Sequence, residues 1–217
     1  ASVTKIAAST LSVMKLVDEG KINLDEHLCS YLPQLEGSNK QNMVIREMMT
    51  HQAGLKDWIP FWMKTVNKEG TYKEGIYNKT PNDFFTKRVA NDLYINNNYE
   101  DTIYKQIIES QIKDVGKYVY SDLGYYFLKK IIEDQTKNAL NIYVQKTFYA
   151  PLGLTTMGYK PMARFDLNRI PPTEFDAKFR KQLVHGDVHD QGAAMLGGVG
   201  GHAGLFSDAN DLAVLMQ

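Results

Sequence analysis

Ala1-Ser2-Val3-Thr4-Lys5 opens the chain and runs directly into Ile6-Ala7-Ala8-Ser9-Thr10-Leu11, an apolar stretch of small residues. If this stretch opens a helix, Ser2 and Lys5 stand three positions apart on one face, with about 5–6 Å between their Cβ atoms. A lysine amine then reaches a serine hydroxyl. That hydroxyl is a poor nucleophile until a base takes its proton, and a lysine partly buried at a helix start can have its pKa lowered far enough to be the base. The plainer reading of the same residues is a serine capping a helix beside a solvated lysine. Ser-x-x-Lys is short and common, so the rest of the chain decides between the two.

Working outward, Ile6, Leu11, Val13, Met14, Leu16 and Val17 recur at helical spacing and predict a largely buried helix from Thr4 to Glu19, ended by Gly20. Val44 to Thr50 reads as a second helix, and His51-Gln52-Ala53-Gly54-Leu55 as the loop that breaks it, with Gly54 suited to a positive φ. Residues 56–80 read as an irregular excursion anchored by Trp58, Phe61 and Trp62, which pin a loop or line a ligand groove. Asp83 to Leu93 is expected to be helical, Asn96-Asn97-Asn98 a turn, and Tyr99 to Lys113 a helix. Lys117 to Asp122 is a short β-prone piece before the strongly periodic helix Tyr125 to Thr136. Asn141 to Phe148 forms another helix, and 155–185 reads as loop over much of its span.

Five glycines between Gly197 and Gly204 allow backbone to approach backbone or ligand closely. No Gly-Lys-Ser/Thr follows them, so they are not a phosphate loop. Ser207 or Asp208 then caps a closing helix, Ala209 to Met216.

Composition narrows the function classes. The 25 Lys and Arg residues balance 25 Asp and Glu, so there is no broad basic field for nucleic acid, and small molecules are the expected partners. No apolar run approaches the roughly 20 residues that span a bilayer, and no membrane contact is expected from this segment. The single cysteine, Cys29, excludes an intrachain disulfide and reads as a small packed residue. The chain opens on Ala1 rather than methionine, and the expectation is of a longer protein upstream. The oligomeric state is left open.

Several separated segments then agree with one family. Ala1-Ser2-Val3-Thr4-Lys5, the series Leu16 to Asp25, Tyr31-Leu32-Pro33, Met49-Thr50-His51-Gln52-Ala53-Gly54-Leu55, Tyr120-Ser121-Asp122-Leu123-Gly124-Tyr125 and Gly201-His202-Ala203-Gly204-Leu205-Phe206-Ser207 resemble, in order and spacing, the class C β-lactamase and penicillin-binding-protein family. The resemblance implies an α/β (α+β) β-lactamase/transpeptidase-like fold. Residues 1–217 would be a single partial domain, mostly its α-helical lobe, with the terminal sheet strands and one oxyanion-hole donor lying outside. It also implies a serine hydrolase of the cell envelope that forms an acyl-enzyme on a cell-wall peptide, β-lactam or ester, without a cofactor. Val188-His189-Asp190 and the glycine-rich segment are similar to a branch of muropeptide amidases in that family.

Carried over residue by residue, the resemblance makes Ser2 the nucleophile, Lys5 its activating partner and Tyr120 the acid/base. The family's Tyr-x-Asn triplet reads Tyr120-Ser121-Asp122 here, so the candidate substrate-binding Asp122 accepts but does not donate when ionised. A tyrosine, with a pKa of about 10 in water, needs adjacent positive charge to act as a base at neutral pH, and Lys5 can supply it. His202-Ala203-Gly204 has the form of the family's third motif, His-x-Gly, and His202 is kept as a candidate substrate-binding residue. The stretch that follows it resembles a loop-to-helix segment upstream of that motif, which favours a third motif outside this chain.

Two further readings stand beside the hydrolase. One is a non-catalytic relative that binds peptidoglycan fragments or β-lactams. The other is a metallohydrolase using His185 and His189, against which Gly186 and Val188 argue by opposing a helix there, so no metal is expected. His51 reads as a structural hydrogen-bonder.

Overall fold

The structure is a computed structural model and describes all residues, 1–217. The opening helix forms as its small apolar residues predict: it begins at Val3, passes through a π-turn at Lys5–Thr10 and continues as α1, Leu11–Asp18. Ala7, Ala8, Val13 and Leu16 are fully buried, while Ile6 and Met14 face outward. Gly20, at φ 69°, ends it.

Then follow α2 (Leu28–Tyr31), α3 (Ile45–Met49), β1 (Tyr77–Asn78), β2 (Lys87–Ala90), β3 (Leu93–Ile95), α4 (Tyr99–Glu109), α5 (Leu123–Thr136) and α6 (Leu140–Val144). The last part holds β4 (Gly158–Tyr159), β5 (Pro172–Asp176), β6 (Gln182–His185), α7 (Gln191–Met195), β7 (Leu205–Phe206) and α8 (Ala209–Leu215). The strands make three small antiparallel sheets, ordered β1-β3-β2, β4-β7 and β5-β6. No helix is long and apolar enough to cross a membrane.

The core is built around α5. Leu123 through Lys129, with Ile131 and Ile132, are all buried, and a helix covered on nearly every side belongs at the centre of a fold. The opening helix, α3 and α6 pack against it. The glycine-rich segment closes the third side: Ser9 Oγ donates to the Gly201 carbonyl at 2.7 Å, and a Cβ added to Gly201 would stand 2.1 Å from the Tyr125 carbonyl oxygen. Only a glycine fits between the two helices, which is the close approach its composition implied.

Three local expectations are corrected. Asp83 to Leu93 is a β-hairpin, not a helix: Ala90 pairs with Leu93 around Asn91-Asp92, and Asp92 takes a positive φ of 48° that ends any helical run. Lys117 to Asp122 makes no strand, because its amides bond to the loop after α3 instead of to a ladder. Residues 155–185 contain the β5-β6 hairpin, whose Asp176 is bonded to buried Arg180 at 2.9 Å. The closing helix is capped by Asp208, which accepts from the Asp211 N–H at 2.8 Å.

Candidate active site

Ser2 lies in the first turn of the opening helix and Lys5 one turn further, buried at 4% exposure. Lys5 Nζ donates to Ser2 Oγ at 3.1 Å, to Tyr120 Oη at 2.7 Å and to Asp122 Oδ1 at 2.5 Å. Tyr120 Oη in turn donates to Ser2 Oγ at 2.8 Å. Four of the five residues expected from the sequence therefore meet at one point, each within hydrogen-bond reach of the lysine.

Burial alone would lower the Lys5 pKa, but the bonds and charges of Asp122 and Tyr120 outweigh burial, and the net shift is upward. The amine is held as an ammonium. An ammonium at this place is a positive charge beside Tyr120 Oη, 2.7 Å away.

Tyr120 and Asp122 are placed by a lacing of two loops. The carbonyl of Gly54 accepts from Lys113 N–H at 2.9 Å, that of Gln52 from Gly116 at 2.8 Å, that of His51 from Val119 at 2.8 Å and that of Asp57 from Asp122 at 2.9 Å. Ser121 Oγ donates to the Lys56 carbonyl, and Ser121 N–H donates to His51 Nδ1 at 3.1 Å. Gly54 is required by this approach: its φ is +74°, and a Cβ there would lie 2.6 Å from the Lys113 carbonyl oxygen. His51 itself has φ 60°, and its ring centroid is 4.5 Å from that of Tyr120.

Asp122 occupies the N-cap position of α5, yet its carboxylate makes no cap bond and is given to Lys5. Ser121 Oγ accepts from Leu123 N–H instead, at 3.1 Å. The positive end of α5 still favours an anionic side chain at this point.

His202 is outside the four-residue cluster. It is 2% exposed, stacked on Tyr126 with centroids 4.5 Å apart, and its Nε2 is 2.8 Å from Asp190 Oδ1. Asp190 also caps α7 by accepting from Ala193 N–H at 2.7 Å. Burial would raise the Asp190 carboxyl, but the His202 contact and the cap bond overcome it and hold the group well below the usual carboxylate range. His202 and Asp122 border one cavity of about 230 Å³, whose other wall carries Trp58, Phe61 and Trp62. Those aromatics thus combine the two roles left open for them: Phe61 is buried in the core, and Trp58 stands exposed at the cavity rim.

His185 and His189 have separate partners. His185 Nε2 contacts the Ile170 carbonyl at 2.5 Å, and His189 Nε2 lies 3.3 Å from Glu174. No group of three or more His, Cys, Asp or Glu side chains is arranged to hold a metal ion. The residues that sequence reasoning undervalued are His51 and Asp122, since neither the ring bond to Ser121 nor the ion pair to Lys5 follows from spacing alone.

The whole chain, residues 1–217, matches the family model described as Beta-lactamase. It is 31% identical over 235 residues to a protein of Escherichia coli (strain K12) named "Putative D-alanyl-D-alanine carboxypeptidase", and 33% identical over 237 residues to its namesake in Salmonella typhimurium (strain LT2). Both alignments take in 100% of this chain and 49% of the relative, so the chain spans about half the length of the curated relatives it matches. Among solved structures, it is similar to the octameric penicillin-binding protein homologue from Pyrococcus abyssi, with a TM-score of 0.64 at 20% identity over 100% of this chain and 43% of the other. It is also similar to D-amino acid amidase from Ochrobactrum anthropi SV3, with a TM-score of 0.64 at 18% identity over 100% and 54%. At such identities the shared property is the fold, which is β-lactamase/transpeptidase-like with mixed helix and sheet. The match of the full chain and the identity to these relatives place it: the chain belongs to the beta-lactamase family.

Proposed function

We propose that this protein is a serine hydrolase that forms an acyl-enzyme on Ser2, acting on an amide or ester of the cell-wall peptide or β-lactam class. The observation that carries the reading is the closed triangle of Ser2 Oγ, Lys5 Nζ and Tyr120 Oη, with sides of 3.1, 2.7 and 2.8 Å. Family membership supports it, as do relatives whose names speak of D-alanyl-D-alanine carboxypeptidase and D-amino acid amidase. A site for such substrates belongs in the cell envelope.

In this reading Tyr120 Oη first gives up its own proton to solvent, and Ser2 Oγ then attacks the substrate carbonyl carbon while its proton passes to that oxygen. The tetrahedral intermediate collapses, and Tyr120 returns the proton to the departing nitrogen or oxygen. Water then attacks the acyl-Ser2 ester, gives its proton to Tyr120, and Ser2 Oγ recovers it as the acid leaves. Lys5 Nζ, 2.7 Å from Tyr120 Oη, is placed to stabilise negative charge on that oxygen, and Asp122 offsets part of the lysine's positive charge. Ser2 N–H, in the first turn of the helix, has no intrahelical partner and is an oxyanion donor. Asp122 and the adjoining cavity receive the part of the substrate next to the scissile bond.

The test is labelling of the full-length protein with a fluorescent penicillin and, separately, a fluorophosphonate, followed by peptide mapping. The expected result is an adduct on Ser2 that disappears in Ser2→Ala. An intact protein with no adduct, or an adduct that persists in Ser2→Ala, would overturn the reading. An adduct that forms and never turns over would assign the protein to binding rather than hydrolysis.

A further inference from the structure

We propose that His51 is the positioning residue for Tyr120, and that it holds the tyrosine against Ser2 only while its imidazole is neutral. The inference rests on the reading of Ser2 and Tyr120 given above and adds a residue that touches neither the substrate nor the nucleophile.

Both peptide neighbours of Tyr120 are tied to this one residue. Val119 N–H donates to the His51 carbonyl at 2.8 Å, and Ser121 N–H donates to His51 Nδ1 at 3.1 Å. The ring itself packs on Tyr120, with centroids 4.5 Å apart and planes at 38°. Backbone on either side and ring on one face leave Tyr120 little freedom to swing from Ser2 Oγ, 2.8 Å away. The chain accepts a left-handed φ of 60° at His51 to reach this arrangement, a conformation uncommon outside glycine.

The second bond depends on a proton. A backbone N–H can only donate, so Nδ1 must be the bare acceptor nitrogen and any proton of the neutral ring sits on Nε2. Protonation of Nδ1 turns the acceptor into a donor facing another donor, and the Ser121 bond is lost. The groups that face the ring are Lys5 of the opening helix, Asp122 and Tyr125 at the head of α5, and Tyr118 and Tyr120 of the laced segment. Burial, then the Lys5 charge, press the His51 pKa below the ordinary imidazole value against the pull of Asp122, so the ring is neutral at pH 7 and charges only in acid. The other bonds of the lacing do not titrate. His51 is therefore the point at which acid loosens the tyrosine while the fold stays closed.

The experiment compares wild type, His51→Asn, His51→Gly and Tyr120→Phe as full-length proteins. It follows acylation by a fluorescent penicillin between about pH 5 and 8, where histidine charges, and resolves a maximal rate and a half-saturating concentration. Asparagine tolerates positive φ and offers an acceptor oxygen near the place of Nδ1 but does not titrate; glycine keeps the backbone and has no acceptor. Wild type is expected to lose maximal rate in acid. His51→Asn should stay within about threefold of wild type at neutral pH with a weaker acid limb, whereas His51→Gly should lose roughly 10- to 100-fold in maximal rate, as small misplacements of a reacting group do. The half-saturating concentration should change little in either.

An acid limb that survives unchanged in His51→Asn, or a His51→Gly protein as fast as wild type, would overturn the inference. Were His51→Gly to unfold, the pH profile of His51→Asn alone decides. No adduct on Ser2 in wild type, or Tyr120→Phe as fast as wild type, would instead bring down the Ser2–Tyr120 reading and this inference with it.

Discussion

Lys5 and Asp122 form an ion pair of 2.5 Å between the opening helix and the head of α5, with the lysine 4% and the aspartate 26% exposed. This pair sets the charge of the site. Because Asp122 helps to raise the Lys5 pKa, the ammonium is complete below the ordinary lysine value and is lost only as pH rises through the raised one.

Asp122→Asn should therefore move the alkaline limb of acylation to lower pH, since burial then acts on Lys5 with one opponent fewer. Stability at pH 7 should fall by about 1.5–3 kcal/mol, the range for a bond to a charged group. A pH profile of acylation and a urea titration check the two parts; an unmoved alkaline limb would show that the pair does not govern the lysine.

Tyr120→Phe separates chemistry from folding. The side chain is 41% exposed and its hydroxyl bonds only within the site, so the thermal midpoint should barely change. The acylation rate should drop by roughly 10²–10⁴, the usual worth of a positioned acid/base group. Stopped-flow labelling beside a thermal melt measures both.

Gly201→Ala should cost about 1–3 kcal/mol, because its methyl would meet the Tyr125 carbonyl and Ser9 Oγ, and well-packed interiors resist even one added carbon. The same protein should acylate more slowly, since the obstruction lies between the helix bearing Ser2 and the helix headed by Asp122. A denaturation curve with normal stability would show that the seam can open.

Lys40 provides a prediction remote from the site. It is fully buried, its Nζ donates to Asn39 Oδ1 at 2.8 Å and to the Ser110 carbonyl after α4, and burial pulls its pKa from 10.5 down to about 8. A lowered lysine pKa means that the fold prefers the neutral amine, so wild type should gain stability as pH rises from about 8 towards 10.5. Lys40→Met should lack that gain. Parallel denaturation series at pH 7.5, 9 and 10 would reveal equal slopes if the idea is wrong.

What could be read from sequence follows physical lines. The helix through Phe127, Leu128, Ile131 and Ile132 was legible because its apolar period is local and long, and Ser-x-x-Lys because helical spacing alone brings the two side chains together. The meeting of Ser2 with Tyr120 followed from the resemblance, since no local rule joins segments so far apart. The hairpin at Lys87–Ile95 was misread as helix because Leu93 and Ile95 find their partners across a sheet, and a short apolar run does not reveal that. The raised pKa of Lys5 was hidden for the same reason: its burial is predictable from a helix pattern, but its ion partner comes from the far end of a laced loop.

The π-turn at Lys5–Thr10 carries a consequence of phase. Such a turn holds one residue more than the α-helix it interrupts, and each α-helical residue advances about 100° around the axis. Deleting one residue between Ile6 and Thr10 would make the helix regular and keep Val13 and Leu16 seated in the core. It would also rotate Ser2 and Lys5 by about that angle, away from Tyr120. The irregular winding sets the bearing of the nucleophile independently of the stripe that anchors its helix.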